Sequence, residues 1–179
     1  MALETIRLRL LAVDCCDELV AAIKHCALGG CVETLLRAAP SQDIARIISA
    51  QSIDAAVISG ALPVGVSASP AALLLLTEDA ALSRQCVRSG IMTARPVELS
   101  VVLPSLFAAA EKLRTLRDRQ SSLQQRLDDN RIVARAKLLL ISRLGMSEGD
   151  AHRYIEKAAM DSCLPRREVA EGIIRTYEE

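Results

Sequence analysis

From Ile6 to Ala94 the chain alternates between short apolar runs and stretches with helical spacing. The runs are Ile6–Val13, Cys31–Leu36, Ile53–Ser59, Ala71–Thr77 and Ile91–Ala94, and their near-continuous apolar character suits strands covered on both faces. Between them, Asp17–Cys26 places Leu19, Val20 and Ile23 on one helical face and is followed by the stop signal Gly29-Gly30. Gln42–Ala50 and Ser83–Ser89 predict two further helices. Strands and helices taking turns predict an α/β fold, a doubly wound parallel five-stranded sheet. Such a sheet keeps its chemistry at the carboxyl ends of the strands, where Asp14, Ser59, Thr77 and Arg95 stand. One crossover breaks the pattern: residues 60–71 contain Pro63, Gly65 and Pro70, which predict a loop or a single helical turn where a helix would normally run.

At Leu99 the spacing changes to sevens. Leu99, Leu106, Leu113, Gln120, Leu127 and Ala134 occupy one position of the repeat, and Val102, Ala109, Leu116, Leu123 and Asn130 the other. A repeat held this long predicts a coiled-coil linker over 111–130, with Gln120 and Asn130 as polar interruptions that set register. The chain is therefore expected to form a homodimer through Leu106, Leu113, Leu116, Leu123 and Leu127. Leu99 to Phe107 also fits an amphipathic face laid on the sheet, so Leu106 belongs to both readings.

Past Asn130 the apolar face moves to Ile132, Ala136, Leu139 and Leu140, and Gly145 ends the helix. Ser147 and Asp150 predict a capped start for a second helix, Glu148–Asp161, burying Ala151, Tyr154, Ile155 and Ala158. Pro165 opens a third, with Val169, Ala170, Ile173, Ile174 and Tyr177 at helical spacing. Three amphipathic helices make a small all-α bundle over 123–179, behind a sheet domain over 1–110.

Composition narrows the chemistry. Aromatics are only 2%, so the core is built from Leu, Ile, Val and Ala, and nucleic-acid binding through rows of stacked aromatics is excluded. Net charge is zero but uneven: residues 112–143 hold nine basic and three acidic side chains, a local +6, while residues 1–110 hold eight basic and ten acidic, a local −2. That asymmetry points the rear half at a polyanion. The six cysteines are scattered without a CxxC pair, and Cys15, Cys16, His25 and Cys31 lack the usual zinc-ligand spacing, so free thiols and no metal are expected. Without a basic leader or a long apolar run, the expectation is a cytoplasmic protein with no membrane segment.

The front segment resembles the receiver domain of two-component response regulators. That family places an acidic pair after strand one, a phosphoacceptor Asp after strand three, Ser or Thr after strand four, and Lys-Pro after strand five. Here Asp14 matches one acid, Cys15 replaces its neighbour, Ser59 stands at the acceptor position, Thr77 matches, and Arg95-Pro96 stands for Lys-Pro. Magnesium-dependent phosphoryl transfer needs a carboxylate nucleophile and carboxylates around a hard cation. Of the three that the resemblance implies, Asp14 alone remains, so a pseudo-receiver without catalysis or cofactor is expected. Arg95 is expected to pair with Asp14 in the vacated pocket.

The rear segment resembles the ANTAR domain of transcription antitermination regulators. The likeness rests on Arg131-Ile132, Ala136-Lys137, Leu139-Leu140, Arg143, Gly145, Ser147-Glu148, Ala151, Ala159-Met160 and Val169-Ala170, and covers about Leu123 to Tyr177. Leu138 departs from it, since the family commonly has Gly there. The resemblance implies RNA binding: the domain grips stem-loops in a leader mRNA and prevents a terminator hairpin from forming. Arg131, Arg135, Lys137, Arg143, Arg153, Lys157, Arg166 and Arg167 are the candidate RNA contacts, with Tyr154 as a stacking partner or, alternatively, a core residue. A degenerate receiver further implies control by a ligand-sensing inhibitory partner protein, with residues 60–71 as a candidate docking segment. A dimeric protein-interaction adaptor and a DNA-binding response regulator are the competing readings.

Overall fold

The computed structural model describes residues 7–26 and 32–178. Ile6, Gly29-Gly30 and Cys31, to which the sequence assigns a strand start, a helix stop and a second strand start, lie outside the described residues. The chain divides into two compact units, Met1–Arg117 and Asp118–Glu179.

The first unit is an all-parallel sheet of five strands, β1 (Leu8–Val13), β2 (Val32–Ala38), β3 (Ala55–Ser59), β4 (Ala72–Leu76) and β5 (Met92–Ala94), in the order β2-β1-β3-β4-β5. This doubly wound order reverses direction between β1 and β3, which opens a crevice at their carboxyl ends. The central strands are buried on both faces; β4 exposes none of Ala72-Leu73-Leu74-Leu75-Leu76. At the edge of the sheet, β2 is only half-buried.

Alternation along each strand builds two cores. Leu10, Ala12, Val57 and Leu74 face a layer formed by α1 (Asp17–Cys26) and the start of α4 (Leu99–Leu144), through Val20, Ile23, Leu99, Leu103 and Leu106. Leu11, Val13, Ile58 and Leu75 face α2 (Ile44–Ala50) and α3 (Ala80–Arg88), through Ile44, Ile48 and Cys86. The broken crossover becomes one 3-10 turn, Val66–Ala68, and buried Val66 fills the place where a crossover helix would pack. Its tight entry needs Gly65 at φ 79, a left-handed conformation that glycine adopts without a Cβ penalty.

Helix α3 begins three residues ahead of the predicted Ser83, because the Asp79 carboxylate accepts the free N–H groups of Ala81 and Leu82. A buried acid, Asp54, closes the other end of β3: it accepts the Arg9 N–H at 2.9 Å and lies 3.7 Å from the Arg114 guanidinium. Arg114 also donates to the Arg7 carbonyl and Arg117 to the Pro70 carbonyl. Two cations counted toward the basic stretch are therefore anchors of α4 on its own sheet.

The second unit joins the rear of α4 to α5 (Glu148–Ser162) and α6 (Arg166–Glu178). Gly145, at φ 64, releases the chain from α4. The Ser147 hydroxyl accepts the Asp150 N–H and so starts α5 as the sequence predicts. Ala136, Leu140, Ala151, Ile155, Ala170 and Ile173 form a core of small and branched residues. One helix face is corrected. Ala151, Ile155 and Ala159 turn inward at four-residue spacing, which rotates Tyr154 outward to 46% exposure.

Candidate nucleic-acid interface

The sequence nominates two sites, one in each unit. In the sheet unit, register brings the predicted pocket residues to one edge. Val13 pairs with Ile58, Ser59 with Leu76, and Leu76 with Ala94, so Asp14, Ser59, Thr77 and Arg95 end neighbouring strands. No ion pair joins Asp14 to Arg95 among the described residues. Cys15 is a core residue whose thiol donates to the Val13 and Val57 carbonyls, and burial pushes its pKa up to about 11. The Thr77 hydroxyl accepts the Asp79 N–H ahead of α3.

Arg95 does not pair with Asp14. It binds Glu98 three residues on, through Nε at 3.1 Å and Nη2, while the Glu98 carboxylate also accepts the Arg95 N–H. The local capping box at the turn Pro96–Glu98 offers a carboxylate at the shortest possible reach, and this outcompetes a partner across the sheet. Asp14, at φ 53, remains beside Gly60, where an added Cβ would stand 3.7 Å from its Oδ2. A shallow cavity of about 480 Å³ adjoins it at the β1–β2 end. Arg37 crosses it to bind Asp17 at 2.7 Å and the Cys15 carbonyl at 3.2 Å. One free carboxylate with a buried thiol and a hydroxyl is a poor donor set for a hard divalent cation. No group of three His, Cys, Asp or Glu with metal-binding proximity occurs among the described residues.

In the helical unit, an open groove of about 470 Å³ follows one face of α4. Arg126, Asp129, Asn130, Val133, Ala134 and Lys137 line it at intervals of three and four residues. His152 from α5 and Pro165, Arg166 and Arg167 at the start of α6 complete the walls. Three of the eight candidate cations, Lys137, Arg166 and Arg167, thus meet in one concavity. The sequence reading missed Arg126 and His152. Arg126 lies eleven residues before Lys137, three turns along the same face, and that spacing is the signal that would have found it.

The remaining candidates, Arg131, Arg135, Arg143, Arg153 and Lys157, are exposed outside the groove lining. Many of the eight are held by carboxylates. Arg135 makes a bidentate pair with Glu178 at 2.6 and 2.7 Å, and Lys137 reaches Glu148 at 2.9 Å, tying α4 to the ends of α6 and α5. Arg167 bridges Asp129 at 2.9 Å and Glu171 at 2.8 Å, and these two partners hold its pKa above the usual guanidinium value. Arg131 and Arg153 pair weakly along their own helices, with Asp128 and Asp150. Arg143, Lys157 and Arg126 make no ion pair among the described residues.

The heptad leucines have two fates. Leu106 is fully buried against the sheet, which corrects its assignment to a dimer seam: a side chain committed to its own core cannot reach a second chain. Leu113, Leu116, Leu123 and Leu127 are 40–59% exposed in the same helix, an apolar stripe without cover. Leu138 is exposed as well.

Residues 121–174 match the ANTAR domain family. The transcriptional regulatory protein PdtaR of Mycobacterium tuberculosis is 34% identical over 85 residues, which is 46% of this chain and 42% of that protein. The aliphatic amidase regulator of Pseudomonas aeruginosa is 31% identical over 88 residues, 48% of this chain and 44% of that protein. The matches thus span less than half the length of these curated relatives. The rear part of this chain is thus similar to the ANTAR domain family over residues 121–174, and it follows a receiver-like parallel sheet.

Proposed function

We propose that the chain is an RNA-binding transcription antiterminator that engages stem-loops of a leader transcript and thereby prevents a terminator from forming. The observation that carries this reading is the cationic groove of α4 and α6, which lies within the ANTAR match. Its arginines suit phosphates, and its walls leave room for an unpaired base. The names of the two relatives, a transcriptional regulatory protein and an amidase regulator, accord with it. The working unit is a homodimer joined along Leu113, Leu116, Leu123 and Leu127, with Gln120 setting the register.

Control comes from a partner protein or ligand sensor and not from phosphorylation. Ser59 replaces the acceptor carboxylate, Cys15 is withdrawn into the core, and Arg95 is occupied by Glu98. The segment around Val64, which is fully exposed, remains the candidate docking site on the sheet unit. The test is fluorescence anisotropy with a stem-loop RNA and the same sequence as duplex DNA, over a range of salt. Tight binding of the hairpin with a steep salt slope supports the antiterminator. Preference for the duplex supports a DNA-binding regulator, and absence of any salt-dependent binding supports a protein adaptor.

A further inference from the structure

We propose that the cavity at the carboxyl ends of β1 and β2 binds a free α-amino acid with an uncharged side chain, its ammonium at Asp14 and its carboxylate at Arg37. This goes beyond the RNA reading above and does not rest on it.

The cavity, about 480 Å³, is of a size that small ligands occupy. Its two charged lining residues are opposite in sign, Asp14 just past the end of β1 and Arg37 near the end of β2. Opposite charges on one concave wall tend to close on each other, yet no ion pair joins these two among the described residues. Each is held by its own anchors. The Asp14 N–H donates to the Ala38 carbonyl at 3.2 Å, and the residue stands at φ 53, a strained conformation of the kind that ligand clamps hold. No donor among the described residues reaches its carboxylate. Arg37 Nη1 donates to Asp17 at 2.7 Å and Nη2 to the Cys15 carbonyl at 3.2 Å. These bonds fix the guanidinium and leave it further N–H donors. The Asp17 carboxylate is 91% exposed and does not line the cavity, so water screens it from an occupant.

The class of ligand follows from this balance of charge. A simple anion on Arg37 would meet the uncompensated Asp14 carboxylate, and a simple cation on Asp14 would meet the guanidinium. A molecule that carries both charges satisfies both residues with charge-assisted hydrogen bonds. Register keeps the two close: Arg37 lies opposite Ala12, and Asp14 follows Val13, which lies opposite Ala38. Backbones so placed are within roughly 10 Å of each other, so a ligand whose two charges share one carbon is long enough. Ala12, Ala38, Ala39 and Pro40 complete the wall with small apolar surface, which suits an uncharged side chain and offers a charged one no partner. An occupant bridging the ends of β1 and β2 would also stabilise the sheet unit.

The test is isothermal titration calorimetry of the full chain with glycine, L-alanine, L-valine, L-leucine, L-serine and L-glutamine. At least one should bind saturably at one site per chain. Its N-acetyl derivative, which lacks the ammonium, and its amide, which lacks the carboxylate, should each bind roughly 10-fold or more weakly, the worth of one hydrogen bond between charged groups. Asp14→Asn, a change the left-handed backbone tolerates, should weaken the amino acid to the level of its N-acetyl derivative. Arg37→Gln should weaken it to the level of its amide. Because Arg37→Gln also breaks the pair with Asp17, Asp17→Asn serves as the control: it breaks the same pair, keeps the guanidinium, and should retain binding. Absence of binding by all six even at millimolar concentration would overturn the proposal. So would equal affinity for the one-charge derivatives, or affinity that survives both Asp14→Asn and Arg37→Gln. Hairpin binding does not enter the measurement, so either reading can fail while the other stands.

Discussion

At the scale of single residues, this chain shows how environment sets what a side chain can do. Cys15 and Cys16 are neighbours, yet one is buried and the other exposed. With its pKa raised to about 11 by burial, the Cys15 thiol is a poor nucleophile at neutral pH. A thiol-specific reagent at pH 8 is expected to label Cys16 and Cys163 quickly and Cys15 only upon unfolding; peptide mapping reads the order. Lys137 illustrates the opposite case. Its hydrogen bond, and secondarily its charge, hold the Glu148 carboxyl below its ordinary pKa. Folding therefore favours the ionised form, and the pair's contribution is present above the ordinary carboxylate value and lost as pH falls through the lowered one. Thermal melts should show wild type more stable than Glu148→Gln at pH 7, with the gap closing only once pH has fallen below the ordinary carboxylate pKa and through the lowered one. Tyr154 is an exposed aromatic of α5, so Tyr154→Ala should leave the melting temperature nearly unchanged. The same change should weaken hairpin binding by about 1–3 kcal/mol, the range for one stacked base.

At the scale of elements, α4 carries two sequence messages in one heptad frame. Its first turns are core: Leu103 and Leu106 are fully buried, and Leu106→Ala is expected to cost about 2–5 kcal/mol in chemical denaturation of the sheet unit. Further along, Leu123 and Leu127 are uncovered, and Leu123→Glu with Leu127→Glu should convert a dimer to a monomer in sedimentation while leaving both cores folded. A heptad count cannot separate these cases, because period reveals that a face is apolar and not what it meets. For the same reason the strands were legible, since runs such as Leu73-Leu74-Leu75-Leu76 have no other use than burial on both sides. The pocket was legible only in part. Register places Asp14, Ser59, Thr77 and Arg95 along one edge, as the alternating pattern implies, but the rotamer of Arg95 is decided by Glu98, three residues away. The groove was half-legible: Lys137, Arg166 and Arg167 stood among the candidates, whereas Arg126 and Asp129 look like ordinary surface charges until the start of α6 joins them in lining the groove.

At the scale of the whole molecule, an altered receiver-like sheet precedes in the chain a helical unit that carries the ANTAR match and a groove lined by Arg126, Lys137, Arg166 and Arg167. Incubation with acetyl phosphate or beryllofluoride and magnesium is expected to leave the intact mass of the chain unchanged, since a hydroxyl and a lone carboxylate replace the usual acidic set. A stable adduct on any residue would return control to phosphorylation. No helix among the described residues is long and apolar enough to cross a membrane. Among the described residues, Leu113, Leu116, Leu123 and Leu127 of α4 leave apolar surface exposed. Control by a partner and output through RNA both presuppose that the groove recognises folded RNA, and this is directly measurable. In anisotropy titrations of the full chain at low and moderate salt, a stem-loop RNA should bind tightly, lose affinity steeply as salt rises, and outcompete duplex DNA of the same sequence. Equal affinity for the duplex, or no hairpin binding even at the lowest salt, would contradict RNA recognition by this domain.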